Sequence, residues 1–197
     1  MVRIILEKDI KEVVKIHSES LPQDFLPSLG IDFLAKIFYP NTLNSPFGIT
    51  FVKTIDGEVA GFLTLAYKSN LFLKNIILKN FYRTIIIFFK KMFSTPLFLR
   101  ECLDIFFQVF LKEKQEYKNL PEIVVIAVKK NFRGIGVGQE LVNYVKEHLK
   151  NKGFNKLFVK TLTSNLSAIK LYKKTEGEIR EEIIRANKKY NVVLFNL

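Results

Sequence analysis

Val124-Val125-Ile126-Ala127-Val128-Lys129-Lys130-Asn131-Phe132-Arg133-Gly134-Ile135-Gly136-Val137-Gly138-Gln139-Glu140-Leu141 is the stretch on which the architecture turns. With Glu122-Ile123 ahead of it, the apolar run to Val128 reads as a central strand buried on both faces. Three alternating glycines follow. From about Val137 to Lys152 apolar residues recur at helical spacing, and Gly153 is a favoured stop. A strand that passes through a glycine-rich turn into a helix leaves amide N–H groups converging at the helix N-terminus, where the helix dipole also favours negative charge. Glycine lets a ligand approach the backbone closely. The stretch therefore suits a phosphate or pyrophosphate. It lacks the Lys-Ser/Thr ending of a P-loop, and its third glycine is not at the offset of a dinucleotide-binding turn. A tight strand-to-helix connection with no ligand remains the alternative.

Upstream, Val2 to Leu6 reads as a first strand, and Asp9 as the N-cap of a helix carrying Ile10, Val13, Val14 and His17. A second helix is expected over Ile31 to Tyr39, ended by Pro40. Gly48–Ile55 and Glu58–Tyr67 flank Asp56-Gly57, a strong hairpin signal. Residues 69–118 alternate clusters of Leu, Ile and Phe with Lys and Arg, and read as two or three amphipathic helices; Ile85–Phe89 alone suits a strand equally well. Downstream come a strand over Phe154–Thr161, a short helix over Asn165–Lys174 and a closing pair of strands around Ala186-Asn187-Lys188. The order βααββ, a helical segment, then βαβαββ implies an α/β or α+β domain with one mixed sheet. We expect one domain over 1–197, with 69–118 inserted in it.

The 197 residues, 48% of them hydrophobic, suffice for one sizeable core. Cys102 is the single cysteine; its apolar surroundings (Leu99, Leu103, Phe106) mark it as a small core residue rather than a nucleophile. One cysteine makes no internal disulfide, the N-terminus has no signal-peptide layout, and no uncharged apolar run reaches 18 residues. The expected location is the cytoplasm. The net charge of +12 attracts polyanions. Its basic residues are scattered and no recognition motif accompanies them, so no specific nucleic-acid partner is expected. No Cys/His cluster is present and no metal is expected.

Arg133-Gly134-Ile135-Gly136-Val137-Gly138 resembles the Arg/Gln-x-x-Gly-x-Gly/Ala signature of the GNAT acetyltransferases, with the strand before it and the helix after it that the family requires. Asn165-Leu166-Ser167-Ala168-Ile169-Lys170-Leu171-Tyr172 resembles the family's second motif, Asn-x-x-Ala-x-x-x-Tyr. The resemblance implies a GNAT-type mixed, mostly antiparallel sheet flanked by helices; it is firm from Glu122 to Lys174 and absent from 69–118, the helical insertion before the central strand. It implies acetyl-CoA as cosubstrate, with the pyrophosphate on amides from Arg133, Gly134, Ile135, Gly136, Val137 and Gly138. The pantetheine arm would pair with the backbone of Ile126, Ala127 and Val128 where that strand splays from the next. Asn165 would contact the cofactor and Tyr172 would protonate the departing thiolate, with the Val128 amide stabilising the oxyanion. Glu122-Ile123-Val124-Val125-Ile126-Ala127-Val128 is similar to the histone acetyltransferase branch, in which a glutamate at the position of Glu122 is the base through water. The family's Gly-Phe pair after the tyrosine is absent here, since Gly177 is followed by Glu178.

Two of these residues keep a second reading. Glu122 also suits a solvated strand-end carboxylate, and Tyr172 a packed tyrosine with its hydroxyl at the surface. His17 and His148 read as packed or surface histidines. The expected function is transfer of acetyl to a primary amine on a small molecule, an amino sugar or a peptide. The alternative is an acetyl-CoA-binding, partner-binding or peripheral membrane protein without transfer, for which the basic amphipathic 69–118 segment speaks. The same segment would also serve a homodimer.

Overall fold

The computed structural model describes residues 1–22, 24–94, 116–185 and 188–197. Cys102, Phe106-Phe107 and the Ala186-Asn187 turn lie outside the described residues. Seven strands form one sheet in the order β1-β2-β3-β4-β5-β7-β6. They are β1 (Val2–Ile4), β2 (Gly48–Ile55), β3 (Glu58–Ala66), β4 (Glu122–Val128), β5 (Lys156–Leu162), β6 (Glu178–Arg185) and β7 (Lys188–Asn196). All pairs are antiparallel except β4 with β5.

The β2–β3 hairpin turns on Asp56 and Gly57, at φ of 49° and 80°, the left-handed pair of a tight hairpin turn. In β4 the register slips by one residue between its pairings with Thr64 and Leu65, which makes Val124 a bulge. A bulge bends and twists its strand. Beyond it β4 does not follow β5: the two pair only at Glu122–Phe158 and Ile123–Val159. Toward Val128 and Leu162 they part, and the sheet opens as a V.

Both faces are covered. α1 (Ile10–Ser20), α2 (Phe25–Ser28), α3 (Ile31–Phe33) and α4 (Ser69–Lys79) lie on one face, where Val13, Val14, Phe33, Phe38 and Phe72 pack on Val52, Phe62, Val125 and Ala127. After α3 the helix widens to a π turn over Leu34–Phe38, the Tyr39 N–H bonding Leu34 O at 3.0 Å. α5 (Phe81–Ser94) continues from α4. On the opposite face α6 (Val137–Lys150) and α7 (Leu166–Lys174) cover Phe51, Leu63, Ile123, Leu157, Val159, Val193 and Phe195. Strand alternation then turns Phe158, Val192 and Leu194 to the first face, under Tyr117.

Asp9 departs from the expected cap. It sits in helical geometry, and its carboxylate instead accepts the Leu6 N–H at 2.8 Å and pairs with Arg3 at 2.6 Å. Two short oxygen acceptors reach back to the preceding turn, where a cation stands. The first part of the expected insertion is core: α4 buries Phe72 and Ile76 among the residues of α3 and β3.

Candidate active site

The open end of the V carries the glycine-rich loop. Gly134 and Gly136 stand at φ of 84° and 94°, and a Cβ on either would meet nothing within 4 Å. They supply left-handed backbone on an open surface. Gly138 differs: a Cβ there would come within 3.1 Å of Leu171, so it lets α6 and α7 close together. The first intrahelical bond of α6 runs from the Glu140 N–H to Gly136 O at 3.0 Å. The amides of Val137, Gly138 and Gln139 therefore have no helical carbonyl to bond. Val137 is buried, while Ile135 is 63% exposed at the rim.

Arg133 ties this loop down. Its Nε–H donates to Val128 O and its Nη2 to Ser20 Oγ, each at 3.0 Å. The second bond brings the end of α1, and the loop after it, to the open end of the V. Lys129, beside it, pairs with Glu12 at 2.7 Å and with Glu58, and those carboxylates hold its ammonium pKa well above the usual range. Lys129 is thus matched by two carboxylates, whereas Arg133, within the loop, bonds neutral oxygens.

Asn165 caps α7: its Oδ1 accepts the Ala168 N–H at 3.1 Å. The Asn-x-x-Ala spacing is that of a capping residue and the third residue of its helix, and the Nδ2 group is left for another partner. One turn on, Tyr172 is 3% exposed, its ring edge-on to Phe195 at 6.0 Å. Its hydroxyl makes no hydrogen bond among the described residues. Burial pushes its pKa far above the ordinary tyrosine value, and the charge of Asp24 pushes the same way. Tyr172 thus keeps its proton at neutral pH. The helix ends just beyond, where Glu176 takes a left-handed φ of 68° and Lys146 bonds both its carboxylate, at 2.7 Å, and Thr175 O, at 3.1 Å. Gly177 follows because a Cβ would collide with Val193 and Phe195 at 2.7 and 2.8 Å. Phe195 fills the space behind Tyr172 where the sequence lacks an aromatic after Gly177.

Glu122 lies at the paired end of the V. Its carboxylate, 11% exposed, forms an ion pair with Lys160 at 2.9 Å and accepts a hydrogen bond from Ser69. It is buried and partnered, not a solvated strand end. At about 3.3 Å per residue it stands some 20 Å along the strand from Val128. The structure thus brings Tyr172, Asn165, Arg133, the glycines and the upper part of β4 to the open V and sets Glu122 at its foot. His17 is core: Tyr39 OH meets its Nδ1 at 2.7 Å, and burial lowers its pKa to about 4. His148 bonds the Tyr67 hydroxyl at 2.7 Å.

The sequence did not single out Asp24 or Tyr190. Burial raises the pKa of Asp24, with Lys188 opposing, and burial and Asp24 together raise that of Tyr190. The available signal was a single carboxylate in the apolar stretch Leu21-Pro22-Gln23-Asp24-Phe25-Leu26. Among the described residues no group of three or more His, Cys, Asp and Glu suits a metal ion.

Two parted strands beside unbonded amides at a helix N-terminus suit a long flexible thioester with a diphosphate. Residues 102–177 match the family model described as the Acetyltransferase (GNAT) family. No curated protein matches the chain at a significant level. Among solved structures, it is similar to an N-acetyltransferase from Staphylococcus aureus Mu50 (TM-score 0.63, 16% identity, 100% of this chain and 97% of that one). It is also similar to a putative acetyltransferase of Salmonella typhimurium solved with its cofactor acetyl-CoA (TM-score 0.62, 9% identity, covering 100% and 92%). An aminoglycoside acetyltransferase in complex with coenzyme A gives a TM-score of 0.64 at 14% identity, covering 100% and 94%. These likenesses establish the fold. The fold is thus one shared with acetyltransferases, and the stretch that resembles the GNAT family model holds the glycine-rich loop and the Asn165–Tyr172 helix.

Proposed function

We propose that the protein transfers acetyl from acetyl-CoA to a primary amine by direct attack. One feature carries this reading: β4 and β5 part beyond their first two pairs beside the Arg133–Gly138 loop, and α7, which carries Tyr172, packs against that loop's helix at Gly138. In the proposal, amides of the loop and of the first turn of α6 hold the diphosphate. The parted edge of β4 over Ile126, Ala127 and Val128 holds the pantetheine arm, and Asn165 donates through Nδ2. A β4 amide, Val128 foremost, faces the carbonyl oxygen as negative charge builds on it.

The acceptor arrives as an ammonium and must lose a proton before its nitrogen can attack. A carboxylate on the α1 face takes that proton, either Glu122 at the foot of the V through water or one at the mouth. The C–N bond forms, the C–S bond breaks, and Tyr172 gives its proton to the sulfur. Burial that raises the tyrosine pKa also raises the basicity of a thiolate in the same pocket, so the two stay matched. The second nitrogen proton restores Tyr172, and the base returns its own to water. Such an enzyme works in the cytoplasm, where the thiol ester is made and used.

Thermal unfolding with acetyl-CoA, against ATP and NAD, tests the reading. A ligand at a hundredfold excess over its Kd adds about 2.7 kcal/mol to the native state. A raised midpoint with acetyl-CoA alone is expected; no rise at millimolar acetyl-CoA overturns the proposal. A peripheral membrane or partner-binding role has its own observation. Phe81, Tyr82, Ile86 and Phe89 of α5 are all more than half exposed, although no described helix is long and apolar enough to cross a membrane. Failure to sediment with anionic vesicles at low salt rejects the membrane form.

A further inference from the structure

We infer that Lys53 sets the affinity of the cosubstrate site from two strands away: its ammonium cancels the carboxylate that Glu140 places in the first turn of α6, and so leaves that helix end to the diphosphate of acetyl-CoA. The inference rests on the acetyl-transfer reading. Its ground is the ion pair between Lys53 and Glu140 and the place where the fold holds it. Lys53 pairs across the sheet with Gly61 of β3, and Gly61 in turn with Val128, the last residue of β4. At about 5 Å between neighbouring strands, Lys53 stands roughly 10 Å from the strand end that leads into the glycine-rich loop. Strand alternation from Phe51 turns its side chain to the α6 face. There α6 comes down on the sheet by its first residue. A Cβ on Gly61 would lie 3.0 Å from Val137 Cγ1 and 2.9 Å from Ala127 O, so glycine at this position is what lets the helix start so close to β3. Lys53, one strand over, lies beside that first turn.

Glu140 is the acidic residue of the first turn, and its N–H makes the first bond of the helix, to Gly136 O at 3.0 Å. Helical side chains lean toward the N-terminus, so its carboxylate is carried back along the amides of Val137, Gly138 and Gln139. An acid in this position favours the helix end through its dipole. It also repels any other anion that comes to the same amides. Lys53 answers this. Its side chain is 13% exposed against 51% for Glu140, so the ammonium reaches the carboxylate from the sheet side with its stem covered. The pair draws the carboxylate toward β2, away from the parted strands. Of the other charges here, Lys129 is taken up by Glu12 and Glu58. Arg133 bonds Val128 O and Ser20 Oγ and keeps its charge for a ligand.

The charges give signs that no other role of Lys53 shares. Without the ammonium, one negative charge stands near the diphosphate; without the carboxylate, one positive charge does; without both, the first turn is neutral again. Affinity should therefore fall, hold or rise, and return, in that order. A unit charge about 9 Å from a dianion in water changes affinity by about fivefold. Salt removes the effect, since at 1 M the screening length is about 3 Å. A lysine that touched the phosphates itself would not be replaced by removal of Glu140.

The test is calorimetric titration of the whole chain with acetyl-CoA at low ionic strength and at 1 M salt. Lys53→Met is expected to weaken the Kd about fivefold at low salt and to match wild type at high salt. Glu140→Gln should bind at least as tightly as wild type. Lys53→Arg, which keeps the charge, and the double variant Lys53→Met with Glu140→Gln should both stay within about twofold of wild type. A pair that only ties α6 to the sheet would lower the unfolding midpoint of the free protein and leave the Kd of Lys53→Met unchanged. That result, or a double variant as weak as Lys53→Met, overturns the inference and leaves acetyl-CoA binding standing. Wild-type protein that gives no binding heat with millimolar acetyl-CoA overturns the transfer reading itself, and this inference with it.

Discussion

At the scale of single residues, the site depends on groups whose protons are held by burial. Tyr172 stays protonated because its surroundings disfavour the phenolate. Removing its hydroxyl alone should separate chemistry from binding. Tyr172→Phe is expected to reduce turnover by about 100-fold or more while the acetyl-CoA midpoint shift is unchanged; steady-state rates beside thermal unfolding check this. His17 makes a prediction for stability against pH. Its folded pKa of about 4 lies below the ordinary 6.5. Between those values the unfolded chain binds a proton that the native one does not, so stability falls as pH drops from 6.5 toward 4. At about 1.4 kcal/mol per pH unit, the loss over that interval is on the order of 3 kcal/mol. Urea unfolding at pH 7 and pH 5 checks it, with His17→Gln flattening the difference.

At the scale of elements, Asn165 caps a helix and, in the proposed function, also contacts the cosubstrate, and substitutions can separate the two. Asn165→Asp keeps the oxygen that caps α7 and removes the amide Nδ2. It should leave stability within about 0.5 kcal/mol and weaken acetyl-CoA, whereas Asn165→Ala should also cost about 1 kcal/mol of cap. Denaturant midpoints with and without acetyl-CoA distinguish them. What could be read beforehand follows the same division. The hairpin at Asp56-Gly57, the β4-to-α6 connection and the Asn165–Tyr172 helix were legible because local sequence dictates each one. The bulge at Val124 was not, because Val124 is as apolar as its neighbours and the slip is set by β3. The structural neighbours of Glu122, namely Lys160 and Ser69, lie far along the chain, and no periodicity connects them.

At the scale of the molecule, the two faces of the sheet divide the work. Helices α6 and α7 bring the glycine loop, Asn165 and Tyr172 from one side, while α1 and the loop behind it close the other. The net charge of +12 suits a protein that draws in a polyanionic cosubstrate. The seven strands also end in two guarded margins. β1 is only three residues long, and β6 carries Glu178, Arg180, Glu181, Glu182 and Arg185, with its register slipping at Arg180. Short margins, charges and slipped register all resist the addition of a further strand from another chain. A protein whose central strands must stay parted offers unpaired backbone in its middle. Guarded in this way, neither rim of the sheet offers a ready edge to a strand of another chain.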